Sequence, residues 1–143
     1  MPTTAESLIQ YYSPTPFKTL PHHDTVYIPI YSDIYSKTKA VTFNLTATLS
    51  IRNTSLSDTL YLGDIDYYDT DGNLVRRYIP NQNLALQPLQ SIEYVIDEKD
   101  ESGGTGANFI ITWAAQHHQI RPVFQGVMIS TNGQQGDYFL TEG

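Results

Sequence analysis

A chain of 143 residues with 40% hydrophobic residues can form one globular domain with its own core. The net charge of −7 leaves no basic surface for phosphate contacts, so we expect no nucleic-acid partner and no attraction to anionic membranes. The absence of cysteine excludes disulfides, thiolate metal sites and a cysteine nucleophile, and no apolar run reaches the roughly 18 residues of a transmembrane span.

The first 24 residues are predicted to form an arm ahead of a domain that covers residues 25–143. Tyr11, Tyr12 and Phe17 are the side chains that would anchor this arm to the domain. The arm lacks the basic end and apolar block of a signal peptide, so we expect no leader in this chain. Three prolines interrupt it: Pro14, Pro16 and Pro21.

The rest of the chain is predicted to form short strands. The clearest is Val41–Arg52, in which apolar and polar residues alternate without a break. Pro29 removes a backbone donor and predicts an edge strand or a bulge, and a change of phase at Gly63-Asp64 predicts a bulge. Val123–Ser130 is apolar on both faces and is predicted to be central. The other strands are Thr25–Tyr35, Leu60–Asp69, Leu74–Ile79, Ser91–Asp97, Asn108–Ala115 and Tyr138–Thr141.

Seven or eight such strands, joined by turn-rich connections, predict an all-β fold. The expected architecture is a single antiparallel β-sandwich, immunoglobulin-like in the loose sense. Trp113 is predicted to lie in its core. A barrel is the structural alternative.

The sequence Asp69-Thr-Asp-Gly-Asn73 lies between two predicted strands. Asp-Gly in this position favours a hairpin turn, because glycine accepts positive φ. The alternative is a calcium loop, but Tyr67 and Tyr78 stand where the full motif needs acidic residues. We therefore predict a turn and no metal site.

The most glycine-rich stretch is Ser102–Phe109, "SGGTGANF". No helix or P-loop lysine follows it and "DEKDE" precedes it, so it does not fit a nucleotide cradle. The stretch is predicted to be a hairpin connection between two strands. The alternative is a binding loop for another ligand, in which glycines admit close backbone approach. The ligand-binding candidates are Ser102, Gly103, Gly104, Thr105, Gly106 and Asn108.

Candidates for metal or acid–base chemistry are few. The four histidines form the pairs His22-His23 and His117-His118, and neighbours on a strand point to opposite faces, so a pair chelates poorly unless the loops fold together. Asp64 and Asp66 could share one strand face. No nucleophile elbow occurs. We assign no catalytic residue, no metal ligand and no cofactor.

Four tyrosines flank the predicted hairpin and are candidates for an aromatic interaction surface, since tyrosine is favoured at interfaces. The alternative is that they cover the core. They are Tyr61, Tyr67, Tyr68 and Tyr78.

Five blocks in this order, "VYIPIYSDIYS", "FNLTATLSIRNT", "DYYDTDGNLVRRY", "SGGTGANFIITW" and "QQGDYF", resemble the bacterial family named domain of unknown function 3124. The resemblance covers most of residues 25–140. It implies an extracytoplasmic protein of the periplasm or cell surface. The family has no assigned activity, so no functional residue carries over.

These observations together predict a noncatalytic β-sandwich module that binds a protein or glycan partner in the bacterial cell envelope. One alternative is a metal-dependent module or enzyme that uses the acidic and glycine-rich loops. Another is a structural domain that self-associates into a homo-oligomer through the edge strand Thr25–Tyr35.

Overall fold

The computed structural model of the chain describes residues 9–30, 33–35, 42–44, 46–79, 82–96, 107–130 and 137–143. No helix in these ranges has the length and hydropathy to span a membrane. The described residues form two short 3₁₀ turns, Ile9–Tyr11 and Phe17–Thr19, and eleven strands. The strands are β1 (His22–Ile30), β2 (Asp33–Tyr35), β3 (Thr42–Asn44), β4 (Thr46–Arg52), β5 (Leu60–Tyr68), β6 (Leu74–Arg77), β7 (Leu84–Leu86), β8 (Ser91–Ile96), β9 (Ala107–Ala115), β10 (Val123–Ser130) and β11 (Asp137–Glu142).

Two antiparallel sheets pack together, and the predicted β-sandwich is confirmed. The first sheet has the order β1-β9-β5-β6, with β7 also paired to β5, and the second has the order β11-β10-β4-β8. Strands β2 and β3 form a separate pair. There are more strands than the predicted seven or eight, because Thr25–Tyr35 and Val41–Arg52 each hold two strands. In addition, β7 has only three residues and shows no period in the sequence.

The core lies between the facing sides of the two sheets. Alternate residues of β4 and β9 are fully buried, among them Leu49, Ile51, Phe109 and Ile111. Burying each such side chain contributes about 1.5–3 kcal/mol. Tyr78, just after β6, connects the sheets, because its ring contacts Tyr94 of β8 at 4.8 Å and Phe109 of β9 at 5.8 Å between centroids.

Strand β1 is the edge strand that Pro29 predicted. The proline offers no N–H on the free side, and the Thr141 hydroxyl donates to its carbonyl at 2.6 Å. The chain's own C-terminal strand therefore occupies this part of the edge, which weakens the alternative of self-association through β1. Strand β10 is central, between β11 and β4, as predicted.

The turn between β5 and β6 is the predicted hairpin turn. Gly72 has φ of 84°, in the left-handed region. The Asp69 carboxylate accepts the backbone N–H groups of Asn73 at 2.9 Å and Asp71 at 3.0 Å. These hydrogen bonds lower the pKa of Asp69, and the one from the Asn73 backbone contributes most. The carboxylate that suggested a calcium loop is thus used by the turn itself.

The strands on either side of the glycine-rich stretch do not form a hairpin. Strand β8 pairs with β4 in one sheet, whereas β9 pairs with β1 and β5 in the other. The predicted hairpin connection is therefore wrong, because both strands alternate in the same way and the pattern does not specify a sheet. Residues 97–106 lie outside the described residues, and with them five ligand-binding candidates, Ser102, Gly103, Gly104, Thr105 and Gly106.

Candidate functional site

The N-terminal segment runs along the β7 edge of the first sheet. The backbone of Ser13 donates to Asn83 at 3.0 Å, Tyr12 bridges Leu84, and Leu20 is buried. Strand β1 begins at His22, within the segment predicted to be an arm. The boundary between arm and domain at residue 24 stays a prediction.

Phe17 packs over Gly63 of β5. A Cβ atom at Gly63 would lie 2.8 Å from the Phe17 ring and 2.8 Å from the Thr112 hydroxyl. Only glycine therefore lets the turn at Phe17 approach the sheet this closely. Gly63 also lies at the predicted bulge, since the register with β9 shifts between Leu62 and Asp64.

The overhanging turn at Phe17 and the sheet below it enclose a cleft of about 500 Å³, here called the outer cleft. A depression of about 390 Å³ adjoins it and shares Phe17, Lys18 and Asp64. The outer cleft thus combines an aromatic ring, a lysine, two carboxylates and two hydroxyls. Its lining residues are Phe17, Lys18, His23, Asp24, Thr25, Asp64 and Thr112.

Asp64 and Thr112 are held together at the centre of the outer cleft. The Thr112 hydroxyl accepts the Asp64 N–H at 2.8 Å and donates to Oδ2 of the same residue at 3.2 Å. The carboxylate is exposed, and its Oδ1 has no hydrogen-bond partner among the residues that the structure describes. One oxygen is therefore oriented by the sheet while the other remains available to a ligand.

Asp66 lies on the same side of β5 as Asp64, as the sequence suggested, but in a different environment. It is 6% exposed, and both carboxylate oxygens accept from Arg77, from Nε at 3.1 Å and from Nη2 at 3.2 Å. These bonds and the charge of Asp66 raise the pKa of Arg77. The two carboxylates therefore do not form an acid–base pair with both members free.

A second cleft, of about 350 Å³, lies at one end of the sandwich and is here called the histidine cleft. His22 lies opposite Ala115 in the β1–β9 ladder, and the turn after β9 brings His118 back towards it. The centroids of these two rings are 5.6 Å apart. The cleft brings both histidine pairs together, which the sequence left open. Its lining residues are His22, His23, Asp24, Trp113, His117, His118, Ile120 and Arg121.

The turn that carries His118 is held by hydrogen bonds within the β9–β10 connection and by one from the connection after β4. The Arg121 guanidinium donates to the carbonyl oxygens of His118 at 2.8 Å and Ile120 at 3.0 Å. The Thr54 hydroxyl donates to the Arg121 carbonyl at 2.6 Å. The geometry of the histidine cleft therefore depends on the connection after β4 as well as on β1 and β9.

The rings of the other two histidines, His23 and His117, contact other groups. Nε2 of His23 lies 2.7 Å from the Leu20 carbonyl, which only accepts, so Nε2 carries the proton. The His23 ring also stands edge-on to Phe17. Nε2 of His117 lies 3.8 Å from Asp58. Within the described ranges, no group of three or more histidine, aspartate or glutamate side chains is placed to hold one metal ion.

The structure separates the four tyrosines of the predicted aromatic surface. Tyr67 is 1% exposed and its ring contacts Phe109, so it lies in the core, and half-buried Tyr78 packs beside it. Half-buried Tyr61 and Tyr68 lie on the opposite side of β5. Tyr67 is too buried to form such a surface, whereas for Tyr61, Tyr68 and Tyr78 the interface stays a prediction.

Several cleft residues were not singled out from the sequence. Thr112 and Lys18 carry no motif, and only the β5–β9 register and the packing of the N-terminal segment bring them to Asp64. Trp113, predicted for the core, packs against it and also lines the histidine cleft. Asn108, the one described ligand-binding candidate, lies half-buried in β9 between Pro29 and Tyr68 and lines neither cleft.

Comparison with known proteins shows the family. A crystal structure of Thermotoga maritima 1070 is similar, with a TM-score of 0.48 and 12% identity, over 87% of this chain and 95% of that chain. No curated protein matches. The family model described as "Protein of unknown function (DUF3124)" matches residues 23–143. The resemblance seen in the sequence is thereby confirmed, and the chain belongs to this family.

Proposed function

We propose that this protein is a noncatalytic binding module whose ligand is a glycan held in the outer cleft. The observation that supports it most is the exposed Asp64 carboxylate, which Thr112 orients in a cleft that Phe17 also lines. Carboxylates and hydroxyls are suitable partners for the hydroxyl groups of a sugar, and an aromatic ring offers a flat apolar surface to the sugar ring.

Further features suited to a sugar chain lie on the sheet around the outer cleft. Tyr27 is 54% exposed and lies two residues beyond Thr25, on the same side of β1. The adjoining depression gives a chain of several sugar units room on the other side of Asp64. The net charge of −7 favours a neutral or amino sugar over a sulfated or phosphorylated one.

The rival enzyme hypothesis has weaker support. A two-carboxylate hydrolase needs a second carboxyl group that is free to give or take a proton. The pair Asp64 and Asp66 does not meet this need, because Arg77 occupies both oxygens of Asp66. Asp24, the other carboxylate of the outer cleft, accepts the Thr25 N–H through Oδ1 at 2.8 Å. Loss of a measurable hydrolytic activity on Asp64→Ala would be needed to revive that hypothesis.

The test is calorimetric titration of the protein with a panel of bacterial envelope oligosaccharides, neutral and amino sugars included. The Asp64→Ala variant should bind a positive ligand about 10- to 100-fold more weakly, since a hydrogen bond to a charged group contributes about 1.5–3 kcal/mol. The matched control is Asp71→Ala, an exposed aspartate at the β5–β6 turn. Equal weakening in both variants would argue against the outer cleft.

A panel without any binding, on a folded protein, would contradict the glycan proposal and favour a protein partner. Crosslinking in cells followed by mass spectrometry would then identify that partner. Enrichment of a single envelope protein that Asp64→Ala abolishes would reassign the outer cleft to protein recognition.

We propose a location in the periplasm or at the cell surface. The support is the resemblance to a family whose members look exported. Fractionation of cells that express the native gene tests this location. Recovery in the cytosolic fraction alone would contradict it.

A further inference from the structure

His22 and His118 line the histidine cleft and take no part in the proposed glycan site. His22 opens β1 and His118 lies in the turn after β9, so they come from distant parts of the chain. Both side chains are exposed, and neither ring has a hydrogen-bond partner among the described residues. Their nitrogen lone pairs are therefore available.

The spacing of the two rings fits a shared metal ion. Two imidazoles that bind one tetrahedral ion through bonds of about 2.0–2.1 Å have ring centres roughly 5 Å apart. The observed 5.6 Å between centroids, with planes inclined by 56°, is close to that spacing.

We propose that His22 and His118 form a two-histidine site for a divalent transition metal ion. Imidazole nitrogen suits Zn²⁺, Cu²⁺ and Ni²⁺, whereas Ca²⁺ and Mg²⁺ prefer oxygen ligands. Asp24 lines the same cleft, and the net charge of −7 favours a cation. With two protein ligands, the ion keeps positions for water or for a small ligand.

His117 provides the internal control. It lines the same cleft and neighbours His118, but its Nε2 is directed to Asp58 at 3.8 Å. The proposal therefore predicts that His22 and His118 are both required and that His117 is not. A nonspecific surface attraction would not distinguish the three histidines.

The test is calorimetric titration of the untagged full chain with Zn²⁺, Cu²⁺ and Ni²⁺ separately. At least one ion should bind with a stoichiometry of one. His22→Ala and His118→Ala should each weaken binding by at least about tenfold, since loss of groups that merely orient a ligand already costs that much. His117→Ala should bind as the parent protein does. The EPR spectrum of the Cu²⁺ form should lose imidazole nitrogen couplings in both of the first two variants.

Three outcomes would overturn the proposal: no ion binds, binding survives in His22→Ala or His118→Ala, or His117→Ala weakens it equally. Thermal unfolding of each metal-free variant shows that it is folded, and glutamine replacements serve where alanine destabilises the turn. The glycan proposal stands or falls separately, because Asp64 lies in the outer cleft.

Discussion

The two clefts differ in what holds their functional groups in place. In the outer cleft, Asp64 and Thr112 are directly opposite each other in the β5–β9 ladder, and the backbone of one bonds the side chain of the other. In the histidine cleft, His118 lies in a turn, which is held by Thr54 and Arg121. A group on a sheet face takes its position from the ladder, whereas a group on a turn takes it from neighbouring connections.

The largest expected loss of stability comes from a change at Asn53, in the connection that supports the histidine cleft. This side chain is buried, and its Nδ2 donates to the carbonyl oxygens of Asp58, Leu86 and Gln87 at 2.8–3.1 Å. Asn53→Ala should cost about 2–4 kcal/mol, because buried carbonyl groups lose their donors. Denaturant unfolding measures the loss.

The matched variant Asn53→Asp keeps the acceptor for the Ser55 N–H at 2.9 Å but has no donors. It should be about as destabilised as Asn53→Ala if the donors matter. Metal binding at His118 should weaken in both variants, while the outer cleft keeps its affinity. An Asn53→Ala protein as stable as the parent would contradict this account of the connection.

A smaller loss of stability is expected from a change at Gly63, which should disturb the outer cleft. A Cβ atom there meets the Phe17 ring and the Thr112 hydroxyl, so Gly63→Ala should cost about 1–3 kcal/mol, as overpacking does. It should weaken ligand binding at Asp64 and leave metal binding at His22 and His118 unchanged. The double variant Phe17→Ala/Gly63→Ala should cost less than the sum of the two single changes, because it removes one of the two clashes. Strict additivity would show that Phe17 does not pack on Gly63.

The smallest effect concerns Tyr94, in the core that supports both clefts. Burial raises the pKa of its phenol above the ordinary value of 10.0, and its hydroxyl has no hydrogen-bond partner among the described residues. Tyr94→Phe should therefore stabilise the protein by about 1 kcal/mol at neutral pH, since an unsatisfied buried group is removed.

The raised pKa of Tyr94 also predicts that the protein loses stability in alkaline solution. Above pH 10.0 the unfolded chain releases the proton while the folded chain retains it, so stability falls as the pH rises from 10.0 towards the folded pKa. Tyr94→Phe should show a smaller fall than the parent across that window, measured as the melting temperature against pH. Parallel profiles of the two proteins would contradict the assignment.

Local patterns predicted many of the strands in both sheets, but they predicted neither cleft as a unit. Alternation predicted β4 and β9, Pro29 predicted the edge, and the change of phase at Gly63 predicted the bulge. The clefts could not be predicted, because each joins residues from several elements. Asp64 was noticed from the sequence, but its orientation by Thr112 follows from register alone.

The sequence by itself determined most of the strands and the hairpin turn, since these follow from side-chain alternation or from the backbone freedom of a single residue. Only the tertiary structure decided which sheet each strand joins, which tyrosine near the bulges enters the core, and that His22 meets His118. Alternation specifies a face but no partner, so pairing between distant strands is settled by how the two apolar faces pack together.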